Sequence, residues 1–298
     1  MENYKIIKNI DIDQCERKEV GMKNILLICG ILMVAFTGCT SLKKTYNQEV
    51  RGEVEKYRDT IRYEVFTEED IRHLPEPVRQ YFRKCGYIGT EKMLNAEVVW
   101  SESYIKMAPD KKWMKLKTYQ FNSIPEPMRA AYMKARLFGI FPFEGRDIYS
   151  GGYGNMHGRF VKMIKVFDEK GDELTTSALI TLLAEVLFIP NYALQEYIEW
   201  MPIDDHTAKA TIHHEGCTAS GIFHFDDEGI FHIFESDDRY YMTPEGTYQK
   251  RKFSVYIDDY KEYNGVLIPV NVRAVWHLDK GEYEYWRGTI SHIHYDIH

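Results

Sequence analysis

The sequence lacks the motifs that identify several large classes of enzymes and nucleic-acid-binding proteins. No Gly-x-Ser-x-Gly segment provides a hydrolase nucleophile, and neither His-Glu-x-x-His nor Cys-x-x-Cys spacing provides a zinc or redox site. The formal net charge is −7, with both signs mixed along the chain, whereas nucleic-acid binding requires a basic stripe. The sequence therefore predicts a protein without enzymatic activity, metal, cofactor or nucleic-acid partner.

An apolar run long enough to span a bilayer is also absent. Residues 25–36 form an uncharged apolar run, which is shorter than the roughly 20 residues of a spanning helix but typical of the apolar region of a signal peptide. Lys23 precedes this run, and the small residues Thr37 and Gly38 separate it from Cys39. This order of segments predicts an exported protein.

The segment Phe36-Thr37-Gly38-Cys39 resembles the lipobox of bacterial lipoproteins. The resemblance implies that residues 1–38 are an N-terminal extension plus a lipoprotein signal peptide, with translation starting at Met1 or Met22. It also implies that Cys39 carries a lipid, which anchors the chain outside the cytoplasm to the cell membrane or the outer membrane. Two or more acyl chains on one residue would hold it there almost permanently. An uncleaved signal anchor and an ordinary secretory signal are the alternatives.

The rest of the chain divides into a short linker and one domain. Residues 39–64 show no sustained apolar face and are predicted to be a polar tether. Residues 65–298 are long enough to form a single α+β domain with one core. Two of the five cysteines, Cys85 and Cys217, fall in this domain; they could form a disulfide or remain two separate thiols.

The domain opens with helical signals and continues with strand signals. Thr67 followed by Asp70 resembles a helix capping box, and residues 74–86 carry an apolar stripe at helical spacing that ends at a glycine. Beyond them, turn signals such as Asn264-Gly265 alternate with segments in which every second residue is apolar. Residues 175–188 interrupt this pattern with a helix that is apolar nearly all round and must be covered on more than one side.

These patterns predict a large, curved antiparallel β-sheet of about nine to eleven strands. A long twisted sheet curls, and its concave face then needs apolar filling. The predicted architecture is therefore an α+β half-barrel with helices packed on the concave face.

Several segments resemble a widespread bacterial family of unknown function over roughly residues 70–297. They are Leu74-Pro75-Glu76-Pro77-Val78-Arg79-Gln80-Tyr81, Gly145-Arg146-Asp147, Trp200 with Asp204-Asp205, Thr207-Ala208-Lys209-Ala210-Thr211, and Val275-Trp276-His277-Leu278. That family implies no activity. At fold level the layout also resembles the lipoprotein-carrier group, the LolA- and LolB-like half-barrels. These proteins hold acyl chains between a curved sheet and its covering helices.

Candidate ligand-lining residues are the apolar face of the predicted helix, two tryptophans and two arginines. They are Leu179, Leu182, Leu183, Val186, Trp200, Trp276, Arg146 and Arg239. A buried arginine can bind a carboxylate or phosphate through two parallel hydrogen bonds. The alternatives are a filled core for the apolar residues and internal salt bridges for the arginines. His292 and His294 share a strand face, with His298 nearby, and could hold zinc if a third ligand completed the site; the alternative is a pair of exposed strand histidines.

The leading functional hypothesis is a membrane-anchored extracytoplasmic lipoprotein that binds a hydrophobic or amphiphilic ligand, such as a lipid, in a groove between sheet and helices. One alternative is an envelope protein-interaction module with a filled core, whose protein partner the sequence does not identify. A second alternative is an unrecognised envelope hydrolase.

Overall fold

The computed structural model describes residues 41–60, 64–137, 139–161 and 164–298. The predicted signal peptide in residues 1–38 and the predicted lipidation site Cys39 lie outside the described residues. The helices are α1 (Leu42–Tyr57), α2 (Glu68–Ile71), α3 (Glu76–Lys84) and α4 (Asp172–Ala184), with 3-10 turns at Arg58–Thr60 and Pro190–Leu194.

Strands account for most of the remaining chain. They are β1 (Asn95–Ile105), β2 (Met114–Ser123), β3 (Met128–Leu137), β4 (Phe141–Ser150), β5 (Tyr153–Phe160), β6 (Ile164–Lys170), β7 (Ile198–Pro202), β8 (Thr207–His214), β9 (Cys217–Phe225), β10 (Phe231–Ser236), β11 (Tyr240–Met242), β12 (Tyr248–Lys250), β13 (Phe253–Ile257), β14 (Tyr260–Tyr263), β15 (Val266–Pro269), β16 (Asn271–Leu278) and β17 (Gly281–Tyr295).

The main sheet has 13 strands in the order β6-β5-β4-β3-β2-β1-β17-β16-β13-β10-β9-β8-β7. Its pairings are antiparallel, and β11–β12 and β14–β15 form separate two-stranded sheets. The predicted curved antiparallel half-barrel is therefore confirmed, although the sheet has more strands than the nine to eleven expected. The first six strands form a simple up-and-down meander at one side.

Helix α4 shows how strongly the sheet curls. It contacts both β5 and β9, although eight strands lie between them in the sheet. At about 4.8 Å per strand, a flat sheet would separate β5 from β9 by roughly 43 Å, which is more than the helix can bridge. The sheet therefore wraps around α4, which fills the concave face as the sequence predicts.

The opening helices follow the sequence signals closely. Thr67 accepts a hydrogen bond from the Asp70 backbone while the Asp70 side chain accepts one from the Thr67 backbone, so the predicted capping box is confirmed. Helix α3 places its apolar stripe in the core, and Gly86 follows it with a positive φ of 78°. The hydroxyl of Tyr81 donates to the Leu187 carbonyl at 2.7 Å, which ties α3 to the chain just after α4.

The predicted polar tether differs from the structure. Within residues 39–64, α1 packs on the convex face of the sheet through buried Leu42 and Tyr46, which join a small second core with Tyr132 and Ile148. Ser41 caps this helix by accepting from the Lys44 backbone. The tether prediction fails over α1 because one buried residue per turn is enough to hold a helix on an already formed sheet.

Two further findings concern the envelope predictions. Within the part of the chain that the structure describes, no helix combines the length and the apolar character needed to cross a bilayer. Cys85 and Cys217 are both free, and burial raises the pKa of the Cys85 thiol to about 12. A disulfide between these two residues is therefore not part of this fold.

Candidate ligand-binding site

A cavity of about 140 Å³ lies between α4 and the concave face of the sheet. Thr181 and Ala184 line it from α4, and Glu185 and Phe188 line it from the turn that directly follows the helix. An engineered cavity of about 150 Å³ in another protein binds benzene. The cavity here is therefore large enough for a ring or a short branched group.

The sheet side of the cavity follows a cross-strand row. Gln120, Ala131, Asp147 and Met156 are successive partners in the register of β2, β3, β4 and β5, and all four line the cavity. Because directly paired residues point to the same face of a sheet, one row brings groups from four strands together.

Aromatic rings form much of the cavity wall. Trp100 and Trp286 meet edge to face, with their ring centroids 4.8 Å apart. Gly288 makes room for them, since a Cβ there would lie 2.6 Å from the Trp286 ring and 2.7 Å from the Trp100 ring. Phe188 and Phe253 add two further buried rings. The wall therefore suits an apolar ligand group.

A charged network lies at one side of the cavity. The Arg129 Nε donates to both oxygens of Glu185 at 3.0 and 2.9 Å, and the Arg129 guanidinium lies 3.4 Å from Asp147. Gln120 donates from Nε2 to Glu185 at 2.8 Å and accepts from the Trp100 indole at 3.1 Å. Glu185, the charged residue of the predicted apolar helix, is thereby paired inside the protein.

The charge state of Arg129 reflects a balance of burial and attraction. Burial is the largest effect and lowers the pKa of Arg129, but the carboxylates of Glu185 and Asp147 together outweigh it and raise that pKa above its ordinary value. Arg129 therefore stays protonated, and its charge is already matched by protein carboxylates.

Arg239 also lines the cavity, in a different environment. Its Nη1 donates to the Tyr285 hydroxyl at 2.8 Å, and its guanidinium carbon lies 4.0 Å from the Phe253 ring centroid and 4.9 Å from that of Trp276. Its buried Nε has no hydrogen-bond partner. Among the described residues, no carboxylate lies within ion-pair distance of Arg239. The cavity thus contains a cation with an unused donor.

The other candidate residues named from the sequence have different positions. Leu179, Leu182, Leu183 and Val186 are fully buried in the main core, on the opposite face of α4 from the cavity. Trp276 packs beside the cavity under Arg239, and Trp200 packs against the core with its indole donating to the Ala193 carbonyl at 3.0 Å.

Arg146 lies outside the cavity. Its guanidinium binds the carboxylate of Glu49 on α1 and the amide oxygen of Asn155 at 2.8 Å. Arg146 therefore holds α1 on the convex face of the sheet. Sequence patterns did not reveal Arg129 or Gln120, and they marked Asp147 only as part of the Gly145-Arg146-Asp147 segment, because the register that unites these residues is set by the fold.

The histidine pair lies on β17, away from the cavity. The Nε2 atoms of His292 and His294 are 2.8 Å apart. Across the residues covered by the structure, no group of three or more His, Cys, Asp or Glu side chains has a geometry suited to a metal ion.

Comparisons with known proteins place the chain in a family. Residues 64–288 match the model of a family of unknown function, DUF6544, which confirms the predicted family resemblance. No curated protein is significantly similar in sequence.

Two solved structures are similar in fold. A LolA superfamily protein from Nitrosomonas europaea has a TM-score of 0.40 and 10% identity, with 72% of this chain and 92% of that chain covered. A DUF1329 family protein from Desulfovibrio piger ATCC 29098 has a TM-score of 0.33 and 9% identity, with 75% and 94% covered. The first belongs to the carrier group expected from the fold-level resemblance. At these scores neither structure carries functional information for this chain.

Proposed function

We propose that this chain, which belongs to the DUF6544 family of unknown function, is a lipid-anchored envelope protein that binds an anionic amphiphile between α4 and the sheet. The observation that carries the proposal is Arg239, a cation with an unused buried donor beside an aromatic cavity. A ligand with an apolar body and one carboxylate or phosphate would complete both features.

The electrostatics favour Arg239 over Arg129 as the anion-binding group. An anion near Arg129 would have to compete with Glu185 and Asp147, which already surround it. An anion at Arg239 would gain a charge-assisted hydrogen bond to Nε, which typically contributes about 1.5–3 kcal/mol. It would also satisfy a donor that burial otherwise leaves without a partner.

The size of the cavity limits what it encloses. At about 140 Å³ it holds a ring or a few methylenes, so a longer chain must extend through the opening. Ile105, Met133 and Met156, which line the cavity, are half-buried and apolar. A fatty acid or a related single-chain amphiphile therefore fits the arrangement.

A displacement assay with a fluorescent fatty acid tests this proposal on residues 41–298, which form one compact unit. Arg239→Gln is expected to weaken binding of the free acid about 10- to 100-fold, the equivalent of one charge-assisted hydrogen bond. Binding of the matching methyl ester, which carries no charge, should change little. Arg72→Gln, which changes an exposed arginine directly after α2, serves as the matched control.

Two results would contradict the ligand proposal. If wild-type protein binds acid and ester equally, Arg239 does not recognise an anion. If native mass spectrometry of detergent-free protein shows no co-purified or added amphiphile, the cavity is not a ligand site. The anchoring part is tested separately, because acyl mass on residue 39 should be present in the mature wild type and absent from Cys39→Ala.

A further inference from the structure

The turns that join β1 to β2, β3 to β4 and β5 to β6 lie at one edge of the sheet. This follows from the meander, in which successive neighbouring strands are antiparallel. We call this edge, with the adjoining ends of β1–β6, the turn edge. An apolar side chain is exposed to solvent in the first two connections and at the first residue of β6, directly after the third: Met107 is 63% exposed, Ile140 73% and Ile164 59%. Three such residues along one edge form a row of apolar tips.

A basic groove of about 1090 Å³ lies beside the first two of these turns. Its lining contains one acidic residue, Glu144, and six basic residues: Lys111, Lys112, Lys115, Lys117, Lys134 and Arg136. Lys111 pairs with Asp110 and Lys115 with Glu102. Among the described residues, the other four have no carboxylate partner. The groove is therefore strongly positive on a chain whose net charge is −7.

The register places two of these lysines directly opposite each other. Lys117 on β2 pairs with Lys134 on β3, and their ammonium groups lie over the rings of Tyr119 and Tyr132 at 5.3 and 5.8 Å. Like charges directly across a strand pair destabilise a sheet. A polyanionic surface beyond the groove would relieve that repulsion, because each phosphate could lie between two cations.

Helix α1 points its N-terminus toward the same edge. The Lys43 ammonium near the start of the helix lies 5.6 Å from the Tyr119 ring centroid, beside Lys117. At the other end of the helix, Lys56 pairs with Glu126 in the β2–β3 connection, at the opposite edge of the sheet. In the sequence, the predicted lipidation site Cys39 precedes Ser41 by two residues.

From these positions we infer that the turn edge is a docking surface for an anionic lipid bilayer. Met107, Ile140 and Ile164 enter the headgroup layer, and the basic residues of the groove pair with lipid phosphates. Interfacial binding commonly combines apolar tips with lysines and arginines in this way. The inference rests on the proposed anchoring through Cys39, and it adds the orientation of the domain on the membrane.

Depth-dependent fluorescence quenching on the mature, lipidated protein, which begins at Cys39, tests the inference. A polarity-sensitive dye is attached to Met107→Cys, or to Tyr153→Cys at the opposite edge as a control, in a Cys217→Ser background. Buried Cys85 remains unlabelled. The protein is reconstituted into phosphatidylcholine vesicles that contain about 30% of the anionic lipid phosphatidylglycerol, which gives the vesicles a negative surface charge. The vesicles also contain a nitroxide-labelled lipid as the quencher.

Quenching by the nitroxide lipid is expected to be at least 3-fold stronger at Met107→Cys than at Tyr153→Cys. The K117E/K134E variant should lose this difference while remaining in the vesicles. K170E/K209E, which changes the net charge equally at positions off the turn edge, should retain it. Circular dichroism of each variant checks that the fold is intact.

Equal quenching at the two dye positions, or quenching that K117E/K134E leaves unchanged, would overturn the docking surface. Failure of the anchoring proposal is recognised by a different readout, the absence of acyl mass on residue 39. In that case the same dyes on unacylated protein mixed with the vesicles still test the turn edge.

Discussion

Arg129 and Arg239 lie on one cavity but have opposite electrostatic surroundings. Arg129 is surrounded by Glu185 and Asp147, so its positive charge is matched within the protein. Arg239 faces aromatic rings and the Tyr285 hydroxyl, so its positive charge is stabilised mainly by cation–π contacts. The two residues therefore have separate roles: Arg129 links the sheet to the end of α4, and Arg239 is available to a ligand.

His214 is a second residue whose surroundings predict a measurable property. Its Nδ1 lies 2.7 Å from the Tyr149 hydroxyl, and its ring packs against Tyr149 and Tyr197. Burial lowers the pKa of His214 below its ordinary value, against smaller raising effects of Glu215 and Glu126. The folded protein thus prefers the neutral imidazole more than the unfolded chain does.

We predict that His214 makes the protein less stable in mild acid. Below the unfolded pKa of about 6.5 the unfolded chain binds the proton more readily, so the free energy of unfolding falls as the pH decreases. Urea unfolding at pH 7.5 and 5.5 should show a smaller loss for His214→Asn than for wild type, because asparagine retains an acceptor for Tyr149 but does not titrate. Identical losses in the two proteins would contradict the prediction.

Residue-level prediction from sequence reached only part of this site. Arg239 could be identified from the sequence because an arginine followed by two tyrosines is an unusual polar group in a strand-rich region. Gln120 and Arg129 sit at ordinary strand positions, where nothing local distinguishes them, and Asp147 was marked only as part of the Gly145-Arg146-Asp147 segment. They form a site because β2, β3 and β4 align side by side, and this alignment depends on contacts between residues that are far apart in the sequence.

At the scale of elements, α4 explains why its sequence is apolar nearly all round. Leu179, Leu182 and Leu183 pack into the main core on one face, and Ala184, which belongs to the same core, borders the cavity on the other. Periodicity predicted the helix but not which face meets the ligand space, because both faces carry apolar residues. Helix α1 was missed for a different reason: Leu42, Tyr46, Val50 and Val54 recur every fourth residue and form a stripe only one residue wide.

Gly154 sets the distance between β5 and α4. A Cβ at this position would lie 2.7 Å from the Thr175 Cα and 2.8 Å from the Leu174 carbonyl oxygen, and the Gly154 amide donates to the Thr175 hydroxyl at 3.0 Å. We predict that Gly154→Ala lowers the free energy of unfolding by about 1–3 kcal/mol, since the backbone of α4 must move away. Denaturant titration measures this change through the midpoint at a constant slope.

Gly52 provides the matched comparison. It lies in the middle of α1, and a Cβ there would meet no atom within 4 Å. Gly52→Ala should therefore raise the free energy of unfolding by about 0.5–1 kcal/mol through helix propensity. If both alanine variants shift stability in the same direction, the close approach at Gly154 is not the cause.

At the scale of the whole molecule, the cavity opening and the turn edge are close together. Ile105 lines the cavity and is two residues from Met107, one of the exposed tips. In the proposed orientation, an amphiphile would leave the bilayer near the entrance to its binding site.

The general sheet class was predictable from turn signals, but the number of strands was not. Edge strands such as β6 are exposed along most of their length and show no clear alternation of buried and exposed residues.

The cavity itself implies a trade-off between stability and binding. Ala184 is buried on the cavity side of α4, so Ala184→Leu should fill part of the space and stabilise the ligand-free protein by about 0.5–2 kcal/mol. The same change should remove the stabilisation by bound fatty acid, which for wild type is about 2.7 kcal/mol at a free concentration of 100 times Kd. Thermal unfolding with and without fatty acid measures both effects, and Ala184→Ser, which keeps the side chain small, should behave as wild type. If Ala184→Leu still gains the full ligand-induced stabilisation, the amphiphile binds somewhere other than this cavity.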